Sequence, residues 1–139
     1  MRCVLIQCTN SKRSEPAMAT NLYDESAYYR KMRAYAKATG NKWYILSAKH
    51  GLLQPAEWVE PYDEFGLTGS QAHTIASELK LKGIDEVEII AGTKYTDPLI
   101  PELEAKGIDV IELCAGMAIG ERMAELDRLK EQAENHSLC

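Results

Sequence analysis

The chain has 139 residues, 45% hydrophobic and 27% charged, with 16 Lys and Arg against 21 Asp and Glu and a net charge of -5. That length suits one domain with a real core, and the mix excludes a disordered, fibrous or helical membrane-spanning chain, because no apolar run approaches twenty residues. The charge is uneven, +6 over residues 1–50 and -11 over residues 51–139, so an acidic protein keeps a region able to attract polyanions.

In chain order, Val4 to Gln7 reads as a short buried strand that leaves into the polar run Cys8-Thr9-Asn10-Ser11-Lys12-Arg13. Helical spacing of Tyr28, Met32, Tyr35 and Ala36 predicts a helix from Ser26 to about Thr39, stopped by Gly40. Trp43 to Ser47 is a second strand, running into Lys49-His50-Gly51. Residues 54–69, with two prolines and two glycines, predict a long ordered loop. Ser70 caps a helix that turns Ala72, Ile75, Ala76 and Leu79 inward and closes at Gly83. Val87 to Gly92 is the third strand, and Thr96-Asp97-Pro98 opens a helix with Pro101 in its first turn and Gly107 at its end. Val110 to Cys114 is the fourth strand. Beyond Gly116 and Gly120, Met123, Leu126 and Leu129 define a last helix, with the tail after Gln132 expected to fray.

Strictly alternating strands and helices predict a single α/β domain over 1–139, a three-layer α/β/α sandwich on a central four-stranded, mainly parallel sheet. Ligands on such sheets bind beyond the carboxyl ends of the strands. Four loops qualify: Cys8–Arg13, Ser47–Asp63, Gly92–Tyr95 and Cys114–Gly120.

The first of these offers Thr9 and Ser11 hydroxyls, the Asn10 amide and the Lys12 ammonium, suited to gripping a nucleotide or phosphate; plain turn chemistry is the alternative. Neither GxxxxGK[ST] nor GxGxxG is present, which removes the usual arguments for ATP or NAD. In the second loop Ser47, Lys49 and His50 can hold an anion or support a leaving group before Gly51 releases the backbone, or His50 simply caps the strand end. Asp63, held beside Pro61 and Tyr62, suits a general base or a loop brace. Trp58 and Tyr62 can stack on a base or pack the loop. Arg30, Lys31, Arg33 and Lys37 form either a phosphate-attracting helix face or a solvated one.

Cys3, Cys8, Cys114 and Cys139 contain no CxxC pair and no metal-ligand spacing, so reduced thiols and a cytoplasmic location are expected, with Cys8 and Cys114 as packing rather than nucleophiles. No cofactor or metal is called for.

Cys-Thr-Asn-Ser-Lys at Cys8–Lys12, Leu-Tyr-Asp-Glu-Ser at Leu22–Ser26, Ile-Leu-Ser-Ala-Lys-His-Gly-Leu-Leu at Ile45–Leu53 and Pro-Tyr-Asp at Pro61–Asp63 together resemble an uncharacterised prokaryotic and phage domain family. Ala91-Gly92 with Tyr95, and Gly116 with Ile119-Gly120, extend that likeness over nearly the whole chain. The SAKHGLL to PYD stretch is distantly similar to the YaaA peroxide-stress proteins, which are associated with DNA, and to a domain of archaeosine synthase whose architecture is like uracil-DNA glycosylases. The resemblance implies a glycosylase-like scaffold that handles nucleobases, and adds Tyr23, Ser26, Gly92 and Tyr95 to the substrate-binding set of Cys8, Thr9, Ser11, Lys12, Ser47, Gly51, Pro61 and Tyr62. The Gly-Gln-Asp-Pro-Tyr and His-Pro-Ser-Pro motifs of the glycosylases are absent, so uracil excision is not carried over.

The expectation is a nucleobase-directed enzyme acting at an N-glycosidic bond of a nucleotide, plain or modified, in nucleic acid. Asp63 or Asn10 would position water and Lys49 or His50 would support the departing base. Two rivals stand beside it: a binding protein for damaged or modified DNA or RNA, and an enzyme of free nucleotides, which the acidity of residues 51–139 favours. No membrane partner is expected, and oligomeric state is not legible.

Overall fold

The computed structural model describes residues 1–9, 12 and 14–137. The parallel core is built from β1 (Arg2–Gln7), β3 (Lys42–Ser47), β6 (Glu86–Ile90) and β7 (Asp109–Glu112). Among the described residues the sheet has five strands rather than four, because β4 (Gly51–Leu53) folds back antiparallel on β3, giving the order β4-β3-β1-β6-β7. Gly51 at φ 73° supplies the left-handed backbone that closes this three-residue turn. A strand of three residues is too short to show a period of two. A second hidden pair, β2 (Ala17–Met18) with β5 (Trp58–Val59), forms a small antiparallel ribbon inside what the sequence presents as loops.

The helices are α1 (Ala19–Leu22), α2 (Ala27–Thr39), α3 (Gly69–Leu81), α4 (Thr93–Ala105) and α5 (Ile119–Ser137). Packing of α2 with α5, and of α3 with α4, puts one pair on each face of the sheet, as right-handed crossovers require. Ser26 caps α2 by accepting the Tyr29 N–H at 3.2 Å, and Gly40 ends it in the left-handed region. α5 stays helical through Ser137 instead of fraying after Gln132.

Two helix starts differ from expectation. α3 is capped by Thr68, not Ser70, in a reciprocal box with Gln71, worth about 1 kcal/mol. α4 starts at Thr93, three residues before Thr96, so Pro98 and Pro101 lie inside the helix, not in its first turn. Pro98 cannot donate to the Lys94 carbonyl. That oxygen accepts the Leu67 N–H instead, at 3.0 Å, which ties the 64–68 segment onto α4 and offsets part of the proline cost. Gly66, at φ 90°, passes with its Cβ position 3.3 Å from Lys94 Cβ.

On the α2–α5 side, toward the amino ends of β1 and β3, a cavity of about 770 Å³ is lined in part by Arg2, Tyr35 and Glu88. The Tyr35 hydroxyl donates to Glu88 Oε1 at 2.7 Å, and Arg2 Nη1 lies 3.5 Å from Glu88 Oε2. Among the described residues no helix is long and apolar enough to cross a membrane.

Candidate functional site

β1 and β3 are parallel neighbours, with Gln7 opposite Leu46, so the loops that follow them leave the same sheet edge. β1 also pairs with β6, and the chain winds away in opposite directions from that pair. This is the crevice where doubly wound sheets bind ligands. Here it is laced shut at its base. Gln7 Oε1 accepts the Gly92 N–H at 2.6 Å, Gln7 Nε2 donates to the Cys8 carbonyl at 3.3 Å, and Cys8 Sγ lies 3.0 Å from the Tyr95 hydroxyl. Gly92 is also the N-cap of α4, its carbonyl accepting the Thr96 N–H at 3.0 Å.

Above this base sits a second polar chain. Ser47, fully buried, donates from Oγ to the Tyr62 hydroxyl at 2.8 Å and accepts the N–H groups of His50 at 3.0 Å and Lys49 at 3.3 Å. The Tyr62 and Tyr23 hydroxyls lie 2.5 Å apart. The Tyr62 ring meets Tyr23 and His50 edge to face, with centroids at 6.4 and 5.4 Å. Lys12 Nζ lies 4.5 Å from the Tyr62 ring centroid and 5.9 Å from that of Tyr23, inside cation–π range.

Burial pushes the phenols of Tyr23, Tyr62 and Tyr95 well above the usual tyrosine value because desolvation penalises the phenolate. They act as neutral hydrogen-bonding groups. The tyrosines therefore bring no buried anion to offset the cationic side chains of Lys12, Lys49 and Lys94 at this edge.

Of the sequence-predicted residues, Cys8, Lys12, Tyr23, Ser47, His50, Tyr62 and Tyr95 form this one contiguous cluster. His50 is the exposed member of the cluster; Lys49 is exposed beside it, as are Pro61 and Asp63 on either side of Tyr62. Thr9 is buried after β1 and Gly51 turns the β3–β4 hairpin. Ser26 serves as the α2 cap. Asn10 and Ser11 lie outside the described residues, as do Arg13 and Cys139.

Open volume flanks the cluster. A groove of about 530 Å³ runs past Phe65, Thr68, Gln71, Lys94 and Asp97, and a smaller one of about 200 Å³ touches Lys49, His50 and Glu78. Phe65, 41% exposed, stands edge-on to Tyr95 at 5.2 Å with Lys94 Nζ 5.7 Å from its ring. Gln71 joins the two grooves, and its amide donates to the Ala48 carbonyl. Sequence reasoning missed Gln7, Phe65 and Gln71. The signals were an amide ending an apolar strand, the chain's one phenylalanine and the Thr68–Gln71 capping box.

The basic face of α2 is largely spent on the protein itself. Lys31 pairs with Asp127 at 2.7 Å, Arg33 donates to the Thr20 carbonyl at 2.9 Å, and Arg30 donates to the Asp24 carbonyl at 2.7 Å. Trp58, 70% exposed, lies on the β2–β5 ribbon, not within the tyrosine cluster. Cys3, Cys8 and Cys114 are free thiols, and burial pushes Cys3 up to about 12. Among the described residues no group of three His, Cys, Asp or Glu is placed to hold a metal ion.

The chain belongs to the DUF6884 family, described as a family of unknown function, which matches residues 3–128. It is similar to "Uncharacterized protein YfjM" of Bacillus subtilis (strain 168), 30% identical over 131 residues, covering 88% of this chain and 85% of that protein. No solved structure matches.

Proposed function

We propose that this member of the DUF6884 family is a nucleobase-directed enzyme acting at the N-glycosidic bond of a nucleotide, plain or modified, on a scaffold of the uracil-DNA-glycosylase kind. The observation that carries the reading is the Lys12 ammonium held over the Tyr62 and Tyr23 rings, with Ser47 fixing both Tyr62 and the Lys49–His50 turn. Lys49 and His50 line the groove of about 200 Å³, and Gln71 connects it to the groove of about 530 Å³ beside Lys94, a volume that suits a nucleoside-sized ligand. Phe65 offers the base an exposed aromatic face.

In the reaction, the oxygen of a water bound by Asp63 attacks C1′ of the sugar while the C1′–N bond breaks and its electron pair moves to the base. Lys12, Lys49 and His50 stabilise the charge arriving on that base. The water's proton passes to the Asp63 carboxylate, and the base recovers a proton from His50 or solvent. No cofactor takes part.

A second reading, a free nucleoside or mononucleotide as substrate, is favoured by the carboxylates of Glu57, Glu60, Asp63 and Glu64, all exposed and repulsive to a long polyanion. Release of free base from a panel of normal and modified nucleosides and oligonucleotides tests the proposal. Asp63→Asn and His50→Ala should each lower turnover by about 10²-fold or more with unchanged melting temperature. Full activity in both variants removes these roles. Tight binding without release from any substrate replaces the enzyme with a binding protein, and a steep fall of affinity with salt identifies a polymeric ligand.

A further inference from the structure

We propose that the outer face of the β2–β5 ribbon docks a basic protein segment carrying an apolar anchor, an interaction independent of the catalytic reading. The ribbon pairs Ala17 with Val59 and Met18 with Trp58. Side chains alternate between the two faces of such a pair. Ala17 and Val59, 7% and 4% exposed, turn inward, while Met18 and Trp58, 42% and 70% exposed, turn to solvent. An outward face on an ordinary surface ribbon is polar. This one presents the chain's most exposed aromatic ring directly across from a methionine.

The ribbon is held firmly. Ala19 N–H donates to the Glu57 carbonyl at 2.7 Å and Thr20 N–H to the Pro55 carbonyl at 2.9 Å. The Thr20 carbonyl accepts from Tyr29 Oη at 2.8 Å and from Arg33 Nη1 at 2.9 Å. A rigid platform spares a partner part of the ordering cost, and an exposed tryptophan with methionine beside it is the composition of an interface anchor.

Charge selects the occupant. The two segments that carry the ribbon, residues 14–25 and 54–64, hold Glu15, Asp24, Glu25, Glu57, Glu60, Asp63 and Glu64, and neither contains a Lys or Arg. Acidic segments without a Lys or Arg of their own repel a phosphate backbone. They also disfavour a second copy of the chain, since twofold pairing of this face would set carboxylates against carboxylates. A Lys- or Arg-rich segment with one large apolar residue satisfies both the ring and its rim.

The test uses the full chain in a Trp43→Phe background, so that Trp58 is the only indole. It is titrated with a synthetic twelve-residue peptide of lysines interrupted by leucines. The expected result is a blue shift of Trp58 emission, with affinity reduced about 10-fold or more by Trp58→Ala, read by calorimetry, and by the Glu57→Lys/Glu60→Lys pair. Glu104→Lys/Glu131→Lys makes the same charge change on exposed positions of α4 and α5 and should leave affinity within about 2-fold. Equal weakening by that control pair overturns the proposal, because attraction would then be to net charge alone. So does equal binding of a glutamate–leucine peptide, a Trp58 shift on adding single-stranded DNA, or Trp58-dependent dimerisation in sedimentation. A Trp58 shift with the basic peptide in a protein that releases no base leaves the docking site standing and removes only the catalytic reading.

Discussion

Replacing Tyr23 by alanine is expected to destabilise the protein by about 3–5 kcal/mol, the usual cost of truncating a large buried ring. Tyr23 is completely buried, packs on Tyr29 with ring centroids 5.4 Å apart and shares the hydroxyl contact with Tyr62. Tyr23→Phe keeps the ring and loses one hydrogen bond, about 1–2 kcal/mol, because Tyr62 still receives the Ser47 proton. Chemical denaturation of the two variants separates packing from the hydroxyl chain, and equal stability of all three proteins contradicts the account of the cluster. The same burial gives a pH dependence. The folded state holds the Tyr23, Tyr62 and Tyr95 phenols above the ordinary tyrosine value of about 10, so their contribution to stability is full below pH 10 and declines as pH rises beyond it. Stability measured between pH 8 and 11 should fall only in the upper part of that range.

Lys12→Met should lower turnover by about 10²-fold or more while changing stability by no more than about 1 kcal/mol. The two magnitudes differ because the ammonium's contacts in the resting protein are ring faces, worth about 0.5–1 kcal/mol at a partly exposed site. Losing a preorganised charge aimed at a developing anion costs about 2.7–4 kcal/mol. Methionine retains an apolar stem over Tyr62. Steady-state kinetics beside a thermal melt decides the matter: a fall in KM-independent turnover with an unshifted melt fits the role, and an unchanged turnover removes Lys12 from the chemistry.

The parallel core was legible because β1, β3 and β6 are short, nearly continuous apolar runs between helices with clear facial periodicity. β4 and the β2–β5 ribbon were not, since two or three residues carry no period and their pairing depends on the turn at Gly51 and on contacts from α1. Pro98 misdirected the start of α4 for a related reason. Its missing donor is offset by Leu67, thirty-one positions earlier, a partner no local pattern reveals. At the site, Ser47 and His50 were readable as polar residues leaving an apolar strand. The job of Tyr62 was not readable. Whether its ring faces a ligand or its hydroxyl joins Ser47 and Tyr23 is decided by how residues 54–63 return over the sheet edge. The α2 lysines and arginines show the same limit: their spacing announces a charged face, but the packing of α5 and α1 determines that Lys31 and Arg33 are engaged within the fold.

Ligand is expected at the carboxyl edge between the loops after β1 and β3. Amide and histidine-ring NMR shifts, recorded while purine and pyrimidine nucleosides and mononucleotides are titrated in, locate it. Saturable shifts concentrated at Lys12, Lys49, His50, Phe65 and Lys94 are expected for at least one of them. Shifts gathered instead around Arg2, Tyr35 and Glu88, in the cavity on the α2–α5 side, or no saturable shift with any member of the panel, would contradict this placement.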